Sequence, residues 1–224
     1  MRREIDRREF LKATAATGVV WMAGASSLGF AQGGKMVELP KPQTDGGKPL
    51  MQVLQQRKTA REFAPDKLPP QVLSNLLWAA WGINRPDGHR TAPSAANWQE
   101  IDIYVITADS LYLYDAKAHA LHQILADDIR ALAGKQPFVK AAPLNLVYVA
   151  DYAKMGKPVD PLSKDFLAAT NTGFIGQNVY LFCASEGLST VFRALIDRPA
   201  LAKAMNLRAD QKIQCSQTVG YPKR

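Results

Sequence analysis

Two short strand-like segments on either side of a tight turn constrain the fold of this chain more than any other feature. "LYLYD" and "ALHQIL" flank the turn "AKAH", and this arrangement predicts a β-hairpin over residues 111–125. Further strand-like segments occupy residues 101–107 and 144–151, and no Gly-rich phosphate loop follows any of them. The lack of such a loop argues against a dinucleotide-binding fold of the Rossmann type.

Helical segments alternate with these strands. Apolar residues recur at helical spacing over residues 70–81, and a longer helix is predicted from about Asp165 to Gly187, where the glycine can end it. The strand "STVFRAL" follows, then a helix that Asp197 caps and Pro199 begins, then a last strand, "KIQCSQTVG". The order of helices, hairpin, helix, strand, long helix, strand, helix and strand predicts an α+β fold.

The composition is that of a globular protein, and together with the absence of certain motifs it argues against three classes of function. Of the 224 residues, 47% are hydrophobic and 21% are charged, which is ordinary for a soluble domain. The net charge of +8 favours acidic or phosphorylated small molecules as partners, but the cations are scattered and no nucleic-acid-binding motif occurs, so we expect no nucleic-acid partner. The three histidines are too scattered for a metal site, and no GxSxG nucleophile motif is present.

The first 31 residues resemble an export signal. Arg7 and Arg8, followed by "EFLK", precede a short run rich in Ala, Gly, Ser and Thr, as in twin-arginine signals. An ordinary secretory leader or an uncleaved anchor is the alternative. The run is too weakly apolar for a permanent membrane span, so we expect a periplasmic protein with no membrane span in its mature part. The twin-arginine pathway exports proteins already folded, often with a cofactor inside.

The rest of the chain is predicted to comprise a flexible, Gly/Pro-rich arm at residues 32–47 and one domain at residues 48–224. Cys183 and Cys215 both lie in that domain, where an oxidising compartment allows a disulfide. Cys183 falls in an apolar helical run and Cys215 in a strand-like run. These positions favour two buried, unpaired thiols over a disulfide.

A dense group of cations lies near the start of the domain, in the segment "RKTAREF". Arg57, Lys58 and Arg61 fall within five positions, where like charges repel one another. Such a group favours a negatively charged partner. A solvated helix end is the alternative for this segment taken alone.

Four segments, in this order and spacing, resemble the nitroreductase family of FMN enzymes. "RKTAREF" resembles the family's "RRSxRxF" signature, and "LLWAAWGINRPDGHRTAPSAANWQEIDIYVI" resembles a second block in the thiazoline/oxazoline-dehydrogenase-like branch. "GFIGQNVYLFCASEGLSTVFRALID" and "QTVGYPKR" resemble the third and fourth blocks, so that the resemblance runs from about residue 50 to the C-terminus. It implies a central, mostly antiparallel sheet flanked by helices, in a homodimer with FMN at its interface.

The resemblance also implies site residues, position by position. Arg57, Lys58 and Thr59 would hold the phosphate of FMN, and Arg61 would approach the N1 and O2 edge of the ring, where a cation stabilises the reduced form. The other implied cofactor-binding residues are Pro93, Ser94, Ala95 and Asn97 from the partner subunit, Val191, Phe192, Arg193 and Ala194 against the ring, and Lys223 and Arg224 at the phosphate. No side chain is assigned a catalytic role.

The chain departs from the family pattern at several of these positions. Lys58 and Thr59 replace the usual Arg-Ser, and Phe192 and Arg193 stand where a proline and an aliphatic residue are common. The side chain of Arg193 is expected either to hold an anionic substrate over the ring or to pair with a surface acid. Arg90 is expected either to touch flavin or substrate or to stabilise its own loop.

The function implied by the resemblance is that of an FMN-dependent oxidoreductase. It would transfer two electrons through flavin N5 to or from a small organic substrate such as a nitroaromatic or a quinone. Because NAD(P)H is scarce outside the cytoplasm, the electron donor is left open. Two alternatives remain, namely a dehydrogenase of peptide-derived heterocycles and a flavin-binding electron carrier without turnover of its own.

Overall fold

The computed structural model describes residues 34–156 and 160–223, which contain both helices and strands. The expected export signal and Arg224 lie outside the described residues. The α-helices and strands in the described part are β1 (Met36–Glu38), α1 (Leu50–Gln56), α2 (Pro70–Trp81), β2 (Ile101–Ile106), β3 (Leu111–Asp115), β4 (Ala120–Leu125), α3 (Phe138–Ala141), β5 (Leu144–Asp151), α4 (Pro161–Glu186), β6 (Ser189–Arg193), α5 (Arg198–Ala204) and β7 (Gln211–Gly220).

The strands of the described residues form one sheet in the order β1-β4-β3-β2-β5-β7-β6, and every neighbouring pair is antiparallel. The predicted hairpin is confirmed as β3 and β4. In its turn, Asp115 Oδ1 accepts hydrogen bonds from the backbone N–H groups of Lys117 and Ala118, which is a common use of aspartate in turns. The α+β prediction, with an antiparallel sheet flanked by helices, is also confirmed.

Strand β5 is central because its side chains are apolar on both faces of the sheet. All its residues are buried. Leu146 and Tyr148 pack on one face with α2 and α4, whereas Val147 and Val149 pack on the other face with α5. Side chains alternate across a strand, and a strand covered on both faces therefore has an unbroken apolar sequence. Residues 146–150 of β5, "LVYVA", show this pattern.

The long helix α4 begins four residues before its predicted start near Asp165. Asp160 caps it by accepting a hydrogen bond from the backbone N–H of Ser163 at 3.0 Å, and Pro161 is its first residue. Gly187 ends it as predicted, in the left-handed conformation with φ of 70°. Although α4 has 26 residues, no helix in the described part of the chain is both long and apolar enough to cross a membrane.

The segment 32–47 differs from the expected flexible arm. Residues Met36–Glu38 form β1, which pairs with β4 at the edge of the sheet. Farther along, the carbonyl oxygen of Pro40 accepts a hydrogen bond from Ser74 on α2, and Ser74 also contacts His119 in the hairpin turn. A strand of three residues has little pattern of its own and derives its stability from its neighbour, so the sequence did not predict it.

Gly176 allows α4 to approach strand β6 closely. A Cβ atom at this position would lie 2.6 Å from the ring of Phe192, which itself stacks on Tyr148 with 5.8 Å between ring centroids. We therefore expect Gly176→Ala to lower the free energy of unfolding by about 1–3 kcal/mol, because the added methyl group overpacks this contact. Chemical denaturation of the two proteins measures the effect.

The control for this prediction is the same glycine substitution in a Phe192→Ala background, where the new Cβ atom has room. There the higher helix propensity of alanine should make Gly176→Ala neutral, or stabilising by up to about 1 kcal/mol. The difference between the two backgrounds is the coupling energy of a double-mutant cycle. Equal effects in both backgrounds would contradict the close approach.

Candidate functional site

The cation-rich segment lies along the free edge of β6. The backbone N–H of Ala60 donates to the carbonyl oxygen of Thr190 at 3.0 Å, and Phe63 forms an isolated antiparallel bridge with Pro222. Lys223 follows Pro222 directly and is exposed. Three of the segments that carry predicted site residues, "RKTAREF", the end of β6 and the C-terminal "YPK", therefore meet at one edge of the sheet.

Tyr180 on α4, which is not among the predicted site residues, connects the cations to the end of β6. Its hydroxyl lies 2.9 Å from Thr59 Oγ1 and accepts a hydrogen bond from the backbone N–H of Phe192 at 3.0 Å. The guanidinium of Arg57 lies over the Tyr180 ring, 5.2 Å from its centroid. The signal that could have identified Tyr180 is a tyrosine next to the buried face of a long helix, where its hydroxyl can reach polar groups at the edge of the core.

The side chains of the cation-rich segment go to two different places. Arg57 and Thr59 contact Tyr180, whereas Lys58 lines a cavity of about 430 Å³ together with Lys48. Alternation of this kind follows from an extended backbone. The side chain of Lys58 is therefore separated from those of Arg57 and Thr59, with which it was predicted to hold the phosphate.

Four cations at this edge of the sheet form no ion pair within residues 34–156 and 160–223. They are Arg57, Lys58, Arg61 and Lys223. Arg57 is half-buried, and the other three are exposed. Cations without acidic partners, next to a hydroxyl donor, suit a phosphate group, which binds through charge-assisted hydrogen bonds. The donor set present therefore fits a phosphorylated cofactor.

Arg193 is buried, which corrects both expectations for its side chain. Only 5% of the residue is exposed. Its guanidinium donates to the carbonyl oxygen of Ala133 at 2.7 Å, to Asn145 Oδ1 at 2.8 Å and to Thr218 Oγ1 at 2.6 Å. It therefore neither pairs with a surface acid nor reaches a substrate at the surface. These partners come from distant parts of the sequence, so no local pattern indicated the burial.

The "PSAAN" segment is held in a strained conformation by its own loop. Ala96, Asn97 and Gln99 have φ angles of 49°, 52° and 49°, a left-handed conformation that costs a non-glycine residue about 1–3 kcal/mol. Gln99 is held by Arg90, whose Nε donates to Gln99 Oε1 at 2.7 Å, and by Ser94 Oγ, which accepts its backbone N–H at 3.1 Å. Strain maintained by surrounding contacts in this way is common in ligand-binding loops.

Arg90 stabilises its own loop, the second of the two roles expected for it. Besides its bond to Gln99, it donates to the carbonyl oxygen of Trp81 at 2.9 Å and lies over the Trp81 ring. Pro93 and Asn97 are exposed, and the hydrogen bonds of the segment 93–97 go to the same loop, residues 82–99. The chain thus presents this segment outward.

The two cysteines are unpaired, as predicted. Cys183 is buried on α4 and Cys215 is partly buried on β7. Burial raises the pKa of both thiols, so neither is a ready nucleophile at neutral pH. Within the described residues, no group of three or more His, Cys, Asp or Glu side chains could hold a metal ion.

Comparisons with known sequences show which proteins this chain resembles. The profile of the Nitroreductase family matches residues 54–221. A protein of Methanocaldococcus jannaschii described as a nitroreductase is 32% identical over 168 residues, which cover 70% of this chain and 84% of that protein.

Solved structures agree as well. The crystal structure of a protein from Ralstonia eutropha JMP134, described as a nitroreductase, has a TM-score of 0.80 and 42% identity over 84% of this chain and 90% of that chain. A protein of Desulfovibrio desulfuricans described as a nitroreductase in complex with FMN has a TM-score of 0.58 at 21% identity, over 80% of this chain and 89% of that chain, and supports the fold alone. Because the matched sequence includes the cation-rich segment, the "PSAAN" loop, Tyr180 and β6, the chain belongs to the nitroreductase family.

Proposed function

We propose that the protein is an FMN-dependent oxidoreductase that transfers two electrons to or from a small organic substrate, such as a nitroaromatic or a quinone. The observation that carries this proposal is the group of four cations at one edge of the sheet, which have no acidic partner in the part of the chain that the structure describes. Family membership supports the same chemistry. FMN would supply two-electron transfer at its N5 atom, and the protein would bind and orient it.

The phosphate would be held by Arg57 and Thr59, because Tyr180 fixes both side chains in place. Lys223 would add a second cation, since the bridge at Pro222 brings the C-terminal segment to the same edge. A phosphate dianion between these groups accepts charge-assisted hydrogen bonds, which are about twice as strong as neutral ones.

The ring would lie against the end of β6, with Arg61 at its N1 and O2 edge. The backbone N–H of Phe192 already donates to Tyr180 Oη, so it is not free to bind the ring. Ala194, the first residue after β6, is exposed, and its backbone N–H is the better candidate donor. The "PSAAN" segment, which each protomer presents outward, would complete the site of a partner subunit in a homodimer.

Purification of the mature protein, followed by its visible spectrum and identification of the released cofactor, tests this proposal. We expect a flavin spectrum and FMN in about one copy for each chain. Steady-state oxidation of a reductant by nitroaromatic or quinone acceptors then separates an enzyme from an electron carrier. A protein that neither contains FMN nor binds it when it is added would overturn the proposal.

We also propose that the protein is exported to the periplasm, folded, by the twin-arginine pathway, on the sequence of residues 1–31. Changing Arg7 and Arg8 to lysine should leave flavin-loaded protein in the cytoplasm, because lysine keeps the charge but not the arginine pair. The matched control changes Arg2 and Arg3 to lysine and should leave export intact. Cell fractionation measures both, and an unchanged periplasmic yield after the Arg7 and Arg8 changes would contradict the export proposal.

A further inference from the structure

Arg193 is a buried cation whose hydrogen-bond partners are all neutral. Its guanidinium donates to a carbonyl oxygen of Ala133, the side-chain amide of Asn145 and the hydroxyl of Thr218, and it lies over the ring of Phe138. Its Nε atom is also buried and has no hydrogen-bond partner within the described residues. A buried charge is ordinarily paired with an opposite charge, because removing an ion from water is costly. Among residues 34–156 and 160–223, Arg193 therefore has no counter-ion.

The guanidinium carries its charge at neutral pH and lies over β7 and β5, where it meets Thr218 and Asn145, while its backbone is the last residue of β6. Burial lowers the pKa of Arg193 to about 10, which leaves it protonated. The backbone N–H of Lys135 donates to the carbonyl oxygen of Leu195 at 3.2 Å and thereby closes the loop 133–136 over the strand end. The loop packs so tightly that a Cβ atom at Gly134 would lie 2.0 Å from the guanidinium. In the same loop, Gln136 Oε1 is another buried atom without a partner in the described part of the chain.

We propose that Arg193, the last residue of the strand against which the flavin ring would lie, acts as a fixed buried positive charge and stabilises reduced FMN relative to oxidised FMN. The inference rests on the proposed function. Reduction by two electrons and one proton adds one net negative charge to the ring, near N1 and O2, and that charge would supply the missing counter-ion of Arg193. Because the guanidinium is buried, solvent and salt screen this attraction little. Arg193 is thus a positioning residue, acting through the field it creates rather than by contact with substrate.

The test compares the two-electron potential of the FMN-loaded protein in four variants. Arg193→Met removes the charge and replaces the aliphatic part of the side chain, Arg193→Gln removes the charge and keeps a hydrogen-bond donor, and Arg193→Lys keeps the charge. Lys203→Met, which removes an exposed cation on α5, is the control for net charge. In both neutral variants we expect the preference for reduced over oxidised FMN to fall about tenfold, which lowers the potential by about 30 mV.

Unfolding midpoints of the same apoproteins show whether Arg193 has only a structural role. A lower potential in a neutral variant that keeps the wild-type midpoint, with Arg193→Lys and Lys203→Met close to wild type, would support the inference. An unchanged potential in both neutral variants, with FMN still bound, would overturn it. Failure of both neutral variants to fold would assign Arg193 to the fold alone and would also overturn it. Wild-type protein that binds no FMN would instead refute the proposed function, so the two failures are distinguishable.

Discussion

Arg57→Ala is expected to weaken FMN binding by about 1.5–3 kcal/mol, roughly a tenfold to hundredfold rise in Kd, with little change in the flavin potential. The loss is large because the phosphate would accept charge-assisted hydrogen bonds from a guanidinium that Tyr180 holds in place. The flavin potential should change little because the phosphate carries the same charge whether the ring is oxidised or reduced. FMN titration and redox potentiometry measure the two quantities separately.

Lys58→Ala is the matched comparison for Arg57→Ala, since the two residues are adjacent cations on opposite sides of the segment. Lys58 lines the cavity that contains Lys48 rather than contacting Tyr180, so its replacement should have the smaller effect on FMN binding. A larger loss for Lys58→Ala than for Arg57→Ala would place the phosphate in that cavity and contradict the assignment.

Arg61→Gln is expected to weaken the binding of reduced FMN more than that of oxidised FMN, unlike a change at the phosphate. Negative charge appears at that edge only on reduction, so oxidised FMN should stay bound while the reduced form binds less well. The potential should then fall by about 30 mV for each 1.4 kcal/mol of differential binding. If Arg57→Ala shifts the potential while Arg61→Gln merely releases cofactor, the two roles are reversed.

The fold was largely predictable because its elements carry local signals. The apolar run at residues 146–150 of β5 and the terminal Gly187 of α4 can each be recognised within a few residues. The start of α4 was missed although Asp160 and Pro161 form an ordinary helix start. Strand β1 is different, since it is stabilised by pairing with β4 and has no signal of its own.

The site was predictable only in part, because several of its properties arise from contacts between distant segments. The cations and the "PSAAN" segment could be identified as short patterns. The burial of Arg193 depends on Asn145 in β5 and Thr218 in β7, and the separation of Lys58 from Arg57 depends on where Tyr180 stands on α4. Contacts between distant segments produce no recognisable pattern within a short stretch of the sequence.

Exposed apolar side chains on α1 and α4 indicate where two protomers of the proposed homodimer would meet. The two helices pack against each other, so their outer faces adjoin. Six large apolar residues there are between 44% and 79% exposed: Leu50, Met51, Leu54, Leu162, Phe166 and Phe174. Gly173, beside Phe174, has nothing within 4 Å of its Cβ position, which leaves room for close approach of another helix. Large apolar side chains exposed on the outer faces of helices are typical of the interfaces of obligate dimers.

Phe166→Asp is therefore expected to convert the protein into a monomer that has lost FMN. A carboxylate buried without a partner costs about 3 kcal/mol or more, and a twofold interface contains the substitution twice, so the dimer should be weakened by roughly 6 kcal/mol, or about ten-thousandfold. Without the partner's "PSAAN" segment the site would be incomplete, and the cofactor should dissociate with the subunit. Ile124→Asp, at an exposed apolar position on β4 away from both helices, is the control and should remain dimeric with FMN bound. Sedimentation combined with the flavin spectrum decides the matter, since a Phe166→Asp monomer that keeps stoichiometric FMN would show that each chain holds its cofactor alone.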